Sequence, residues 1–323
     1  FLIEEIQVSE KLENDFNKET LINEGFELAF NELISTLVKS TDLNKLDNPE
    51  LNEIKSMIET FSIKEEKFVN KVYHLNLGVS FNKKKIFTYL EMKNVFPSQI
   101  VKKKFLFIPI IIDEKNDDLL IFSNNPVYKK WNEIEKNSFL IEYLLATEDL
   151  EDLSLIKENF LDLENYDFNP IIKKYFLDYS IVALIFKDNS EIKVLSKIYT
   201  VDKKIIKSNS FKNIDYNNDQ NLNDLINKLK IIYEDFWKDQ NLINTSIKLA
   251  LSIRLDNKDF NLSSKFEKIL NEVDLISNYS ISKYDNDHIF YEIIFNGTTN
   301  KFINIMKAHN YIFDTQKKVW VLK

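Results

Sequence analysis

The sequence predicts a mixed chain, α+β overall and α/β in its middle, built as three small layered modules in series. Three observations predict it. Phe105-Leu106-Phe107-Ile108-Pro109-Ile110-Ile111-Ile112 is an unbroken apolar run between Lys102-Lys103-Lys104 and Asp113. Such a run reads as a strand covered on both faces, and it is too short to span a bilayer. Tyr179–Phe186 is a second run of the same kind, bounded by Asp178 and Asp188, and is expected to pair with the first. Residues 245–323 order their periodic segments as β-α-β-β-α-β, the ferredoxin-like split motif. The expected modules are an N-terminal α/β module over 1–97, a middle α/β domain over 98–244 and a C-terminal ferredoxin-like module over 245–323.

In the first module Phe1–Val8 is strand-like, and Ile22, Phe26, Ala29, Phe30, Leu33 and Leu37 follow the stripe of an amphipathic helix. Gly25 lies inside that stripe, where a glycine costs about 1 kcal/mol against alanine, so a closely packed backbone is expected there. Asn48-Pro49 opens a short helix to Met57, Thr60–Glu66 is a strand, and Tyr73, Leu75, Leu77, Val79 and Phe81 alternate at period two. Asn82 caps a helix carrying Ile86, Phe87 and Leu90, and Val95-Phe96-Pro97 closes the module.

Pro109 cannot donate to a ladder, so a bulge or a one-sided edge is expected at that point of the central strand. Asp113–Asp118 turns into Leu119–Phe122, and Asn125-Pro126 starts a helix with Trp131 and Ile134. Ile141–Ala146 is a short apolar segment, after which Thr147–Asp152 begins a helix through Phe160. A turn at Lys187–Ser190 joins the second apolar run to a strand over Glu191–Val201. Lys207–Asn221 is polar enough to read as the longest loop, and a helix follows from Asn223 to Gln240. In the last module, strands over Ile247–Leu255, Leu275–Lys283 and Ile289–Phe295 alternate with helices carrying Phe266 and Leu270, then Phe302 and Met306. Tyr311–Leu322 supplies a closing strand or hairpin.

Composition bounds the function. A chain of 323 residues, 44% hydrophobic and 13% aromatic, can build two or three cores. A net charge of −8 with a pI near 5.2 argues against nucleic acid and against adsorption to anionic membranes. Of 43 basic residues only Arg254 is arginine, so the planar fork that captures carboxylates and phosphates is confined to one position. Arg254 itself reads as a strand-edge surface charge. Absence of cysteine excludes disulfides, thiol catalysis and zinc–thiolate sites. The chain begins at Phe1 without a methionine and shows neither a secretory apolar core nor a transmembrane helix, which fits a removed signal peptide or a trimmed start.

Glu148, Asp149, Glu151 and Asp152 form the acidic cluster that a catalytic reading would use, since paired carboxylates act as acid and base or hold a hard cation. Asp149 with Asp152 three residues on also fits a helix cap facing the positive end of the dipole, and this is the expected role. Asp285, Asp287 and His288 flank Asn286 and read as turn chemistry, and Asp215–Asp219 lacks the glycine and terminal glutamate of a calcium loop. His74 falls on the polar face of its strand and His309 at a helix end, where a cation suits the dipole. Trp131, Trp237 and Trp320 are dispersed packing residues, and the 3 glycines stand too far apart for a phosphate loop. No catalytic, cofactor-binding or metal-binding set is expected.

The Phe1–Val8 strand with its long helix, the Tyr73–Phe81 strand, the basic-then-apolar run at Lys104–Ile112, the pattern Ala146-Thr147-Glu148-Asp149-Leu150-Glu151-Asp152 and the terminal Tyr311…Trp320-Val321-Leu322 together resemble a proteobacterial family, domain of unknown function 2066. The likeness spans nearly the whole chain at low identity. It departs from the family where Lys103-Lys104 stand in place of an arginine-proline pair before the central strand. The resemblance implies export through a cleaved signal peptide to the periplasm and supplies no catalytic residues. The expected function is that of a non-enzymatic cell-envelope protein working by protein–protein contact, with a sheet edge on the N- or C-terminal module receiving a partner strand. The alternative is a small-ligand binder or hydrolase using Glu148, Asp149 and Asp152.

Overall fold

Residues 1–12, 16–47, 49–113, 118–188, 191–212, 214, 218–256 and 260–322 are described by the computed structural model. The chain opens with β1 (Leu2–Lys11), the long helix α1 (Lys18–Leu37), the short helices α2 (Ser40–Leu43) and α3 (Leu51–Met57), strands β2 (Ile58–Val69) and β3 (Val72–Phe81), and helix α4 (Lys83–Met92). The three strands form an antiparallel sheet in the order β1-β3-β2. Asn17 caps α1, its Oδ1 accepting from the Glu19 amide at 2.8 Å, and Asn82 caps α4 by accepting from the Lys85 amide at 3.1 Å. The apolar stripe of α1 then shares one core with Leu75, Leu77 and Val79 of β3. Gly25 is where helix and strand meet most closely, because a Cβ there would collide with Leu77 Cδ1. The close approach expected at this glycine is present, made by the side chains of Leu77 and Val8 rather than by a backbone. Asn48, expected to open α3, lies outside the described residues, and that helix starts at Leu51.

Residues Val101–Trp237 form one compact unit. Its elements are β4 (Lys103–Asp113), β5 (Asp118–Leu120), α5 (Pro126–Lys130), β6 (Ile141–Leu145), α6 (Leu150–Glu158), α7 (Asn169–Ile172), β7 (Ser180–Asp188), β8 (Glu191–Tyr199), β9 (Lys204–Lys212) and α8 (Asp219–Gln240), whose end from Lys238 is counted with the other unit. The sheet runs β5-β4-β7-β8-β9, and β6 also pairs with β4. The two apolar runs do pair, in parallel, from Leu106↔Ser180 to Ile112↔Phe186. Leu106, Ile108, Ile110 and Ile112 point into a core with Ile156 of α6 and Ile171 of α7. Phe105 and Phe107 meet Trp131, Tyr233 and Trp237 on the opposite face. The strand is therefore covered on both sides, as its unbroken apolar character requires.

Pro109 sits in this ladder without a bulge, opposite Ala183. Leu106 donates its amide to Tyr179 on the β7 side, whereas the Phe107 carbonyl accepts from Ala146 on the other. Two residues on, Pro109 faces that same other side, where β6 has ended at Phe107 and β5 has not begun until Ile111. The missing N–H thus falls in a gap between two partner strands. Asn125 fills the gap: its Nδ2 donates to the carbonyls of Pro109 at 3.0 Å and Leu120 at 3.2 Å, while its Oδ1 caps α5.

The expected loop over Lys207–Asn221 is corrected in its first half, since β9 reaches Lys212 and pairs throughout with β8. An edge strand wet on one side can be polar at most positions and still ladder, which is why composition alone missed it. Parts of the expected turns at Asp113–Asp118 and Lys187–Ser190, and residues 215–217 of the calcium-loop candidate, lie outside the described residues.

The C-terminal stretch adds β10 (Leu249–Asp256), α9 (Phe260–Glu272), β11 (Ile276–Tyr284), β12 (His288–Phe295), α10 (Thr299–Ala308), β13 (Phe313–Asp314) and β14 (Val319–Leu322). The order β11-β12-β10-β14-β13 departs from the ferredoxin-like expectation in carrying five strands. The short β13 runs in the direction expected after α10, but the chain then reverses, and β14 takes the place beside β10, parallel to it. The expected three modules are likewise two units. Phe1–Ile100 and Lys238–Lys323 belong together, and Phe81, Ile86 and Leu90 share an apolar cluster with Leu275, Phe295 and Phe302. Lys83 Nζ reaches the Val273 carbonyl at 2.6 Å, and Lys248 pairs with Glu91 at 2.9 Å. The periodicity of each half predicted its elements but contained no sign that the two halves complete one core.

A fragment of residues 1–97 is expected to lack cooperative thermal unfolding, because it exposes the apolar cluster that 245–306 covers. Calorimetry on that fragment checks this. Asn125→Ala removes a cap and leaves the buried Pro109 carbonyl unpaired, and a loss of about 2–4 kcal/mol in urea unfolding is expected.

Candidate functional site

The acidic cluster lies where β6 ends. The Ala146 carbonyl accepts from the Tyr128 hydroxyl at 2.9 Å, and the Thr147 amide donates to the Tyr175 hydroxyl at 2.8 Å, so the segment leading into α6 is held at its start. Asp149 then caps α6, its Oδ1 accepting from the amides of Glu151 at 2.8 Å and Asp152 at 3.1 Å. Lys174, just after α7, donates to Asp152 Oδ1 at 2.7 Å and Glu151 Oε2 at 3.1 Å. These bonds hold the lysine above its ordinary range, and the Asp152 amide, first among the neighbours, holds the Asp149 carboxyl below the usual carboxylate range.

Acid–base catalysis by a pair of carboxyls needs environments that push their pKa values apart. Here one cation serves Asp149, Glu151 and Asp152 together, and Glu148 is exposed beside them. None of these four residues lines any of the three cavities described below. What the arrangement does chemically is start a helix and neutralise its first turn.

The remaining sequence candidates are placed as follows. Asp285 Oδ1 accepts from the amides of Asp287 at 3.1 Å and His288 at 2.8 Å, closing the β11–β12 turn, and among the described residues no group of three acidic or histidine side chains is arranged to hold a metal. His74 lies on the exposed side of β3 and His309 ends α10. Arg254 is corrected: it sits half-buried on β10, a central strand between β12 and β14, rather than at an edge. Trp131 stacks on Phe107 at 3.8 Å, Trp237 donates to the Val101 carbonyl, and Trp320 packs on Phe302.

Two features that sequence reasoning did not single out stand above these. The first is β2, an edge strand whose outward apolar residues are left wet: Phe61 is 49% exposed, Ile63 39%, Phe68 59% and Val69 50%. Its ladder to β3 is regular over Thr60–Ile63 and Glu65–Val69, with Lys64 bulged between them. Phe61, Ile63 and Phe68 stand opposite Val79, Leu77 and Tyr73 and so share the face that carries α1, and Phe61 meets Phe26 ring to ring at 5.0 Å. The other edge, β1, is broken by a bulge at Glu4-Glu5, where Glu5 takes a φ of 61°. A long edge with exposed apolar side chains is the arrangement that accepts another strand.

No family model matches the chain, and no curated protein matches it. The geometry itself therefore has to carry the functional reading.

The second feature is a set of buried lysines. Lys197 is wholly buried on β8 and donates to the carbonyls of Leu163 at 3.1 Å and Tyr166 at 2.9 Å. Lys230 on α8 donates to the Ile134 carbonyl at 2.5 Å, and Lys83 reaches Val273 as described. Burial pushes each of these three ammonium groups down to about 8. A chain almost without arginine uses lysine stems to reach buried carbonyls, and no local pattern distinguishes such a lysine from a surface one. Three cavities accompany them: about 540 Å³ between Asn82–Lys83 and Asn271–Tyr279, about 420 Å³ around Lys230 and Phe139, and about 300 Å³ along Phe160–Asn165.

Lys83, Lys197 and Lys230 each have a folded pKa near 8, below the ordinary value of 10.5, so between these limits the unfolded chain binds more protons and stability rises with pH. The thermal midpoint is expected to climb from pH 8 to pH 10, and Lys230→Met to flatten part of that climb. Differential scanning calorimetry across this window reads both.

Proposed function

We propose that the protein works by protein–protein contact, taking a partner's strand onto the free edge of β2, and that it does so as a non-enzymatic component of the cell envelope. The observation that carries the reading is the exposed apolar row Phe61, Ile63 and Phe68 on a 12-residue edge strand. A strand added there pairs its backbone with that of β2 and covers the same apolar face that α1 covers on β3. Main-chain hydrogen bonds supply affinity in such an interface, and the aromatic side chains supply the anchors. The periplasmic placement rests on the resemblance to the domain of unknown function 2066 family alone. On β11, the edge strand of the C-terminal sheet, the exposed apolar residues Ile281 and Tyr284 are fewer and lie at one end of the strand.

The alternative reading, a small-ligand binder or hydrolase using Glu148, Asp149 and Asp152, has one feature in its favour. Asp152 is 1% exposed and its Oδ2 has no hydrogen-bond partner. Against it stand Lys174, which occupies the other oxygen of Asp152, and the absence of Glu148, Asp149 and Asp152 from the lining of the three cavities.

With a photocrosslinking residue at Ser62, adducts of discrete mass are expected from cell extract, and they should fall at least tenfold in Ile63→Lys/Phe68→Lys. Because both side chains are largely outside the core, the double variant should lose no more than about 1 kcal/mol of stability. Adducts that are indifferent to the two lysines, or that form equally from a probe at Leu161, would remove the strand-addition reading.

A further inference from the structure

The cleft around Lys230 combines a buried cation, an unpaired hydroxyl and an aromatic wall. It lies at the start of β6 and is lined by Lys102, Lys136, Phe139, Tyr143 and Lys230 among others, with a volume of about 420 Å³ that falls within the range of small-molecule sites. Tyr143 is 9% exposed and its hydroxyl has no hydrogen-bond partner. A buried hydroxyl left unpaired is rare, because it loses its bonds to water and gains nothing in return.

Lys230 is 2% exposed and lies 5.2 Å from the ring centres of both Trp131 and Tyr143 and 5.9 Å from that of Phe139. Beyond the Ile134 carbonyl its ammonium has no oxygen partner among the described residues. The carboxylate one turn along α8, Glu234, already accepts from the amides of Leu140 at 2.9 Å and Ile141 at 2.8 Å. At the rim, Glu142 is paired with Lys104 at 2.9 Å, while Lys102 and Lys136 have no carboxylate partner among the described residues. Glu135 and the buried Glu234 are the two acidic groups set against the three lysines, which leaves one positive charge in excess. The cleft thus has spare positive charge and a spare donor, but no guanidinium and a wall of Phe139, Leu140, Ile141 and Tyr143. A dianion needs more donors than this, and a cation is repelled.

We propose that this cleft binds a small organic acid, a single carboxylate on a planar apolar body, whose oxygens accept from the Tyr143 hydroxyl and the Lys230 ammonium while the body lies along Phe139. Charge-assisted bonds to a carboxylate are the strong class of hydrogen bond, and the apolar wall rewards a body that water does not hold. Binding here is independent of strand addition at β2, since it draws on none of the same residues.

Titration calorimetry on the full chain tests it, with sodium benzoate, benzylamine and inorganic phosphate as probes. Benzoate is expected to bind saturably, with the other two at least tenfold weaker. Tyr143→Phe should weaken benzoate about tenfold yet raise the thermal midpoint of the ligand-free protein by a few degrees, because it deletes the unpaired hydroxyl. Lys230→Met, which keeps the stem, should weaken benzoate at least tenfold, and Ile63→Lys/Phe68→Lys should leave it unchanged. The proposal is overturned if benzoate shows no saturable binding at tens of millimolar, if phosphate or benzylamine binds as tightly, or if Tyr143→Phe leaves the affinity for benzoate intact.

Discussion

The second unit depends on one constraint: a strand that is apolar on both faces must be covered by a layer on each side and paired on each edge. β4 meets it with α6 and α7 on one face, α8 and Trp131 on the other, β7 along one edge, and β6 followed by β5 along the other. Its weak point is Pro109, which has no N–H to give and meets no partner strand on the edge shared by β6 and β5. The fold places the break between β6 and β5 at that residue and closes it with the side chain of Asn125. One amide thereby completes the sheet, ties down β5 and starts α5. Where a proline interrupts a central ladder, the surrounding structure has to supply a donor from elsewhere, since a buried carbonyl without one is costly.

The same accounting explains the lysines. A sequence with a single arginine still has buried carbonyls at loop and helix ends, and Lys83, Lys197, Lys230 and Lys238 reach them with long apolar stems and a terminal donor. Aromatic rings line several of these paths, as with Phe168 at 5.0 Å from Lys197. For Lys83, Lys197 and Lys230 this carries a charge into a poorly solvated place, which lowers the pKa and makes the neutral form accessible at mildly alkaline pH. The acidic cluster is the opposite case. Its carboxylates stand at a helix start where amides and Lys174 meet them, so a group that looks reactive in the sequence is quiet in the structure.

Much of the local architecture was legible because local chemistry decides it. Asn82 and Asn125-Pro126 start helices where their side chains and the fixed proline φ make a cap. Asp149 was readable as a cap for the same reason. β9 was not legible, because Lys207, Ser208 and Ser210 carry no apolar alternation and the strand exists through its partner β8. The exposed row on β2 was half legible: Thr60–Glu66 reads as a strand, but only the sheet order shows that it is an edge.

By itself the sequence determined that most of these helices and strands exist, that β4 and β7 would be buried together, and that the chain has no thiol and no glycine-rich loop. Those properties follow from period, caps and residue type, which act over a few neighbours. The tertiary structure alone decided that residues 1–100 and 238–323 share one core, that β14 reverses to lie parallel to β10, and that Tyr143, Phe139 and Lys230 meet around one cleft. The partners in each case are tens to hundreds of residues apart, and contacts at that separation arise from burying apolar surface, which favours closeness without marking in the sequence which segments will meet.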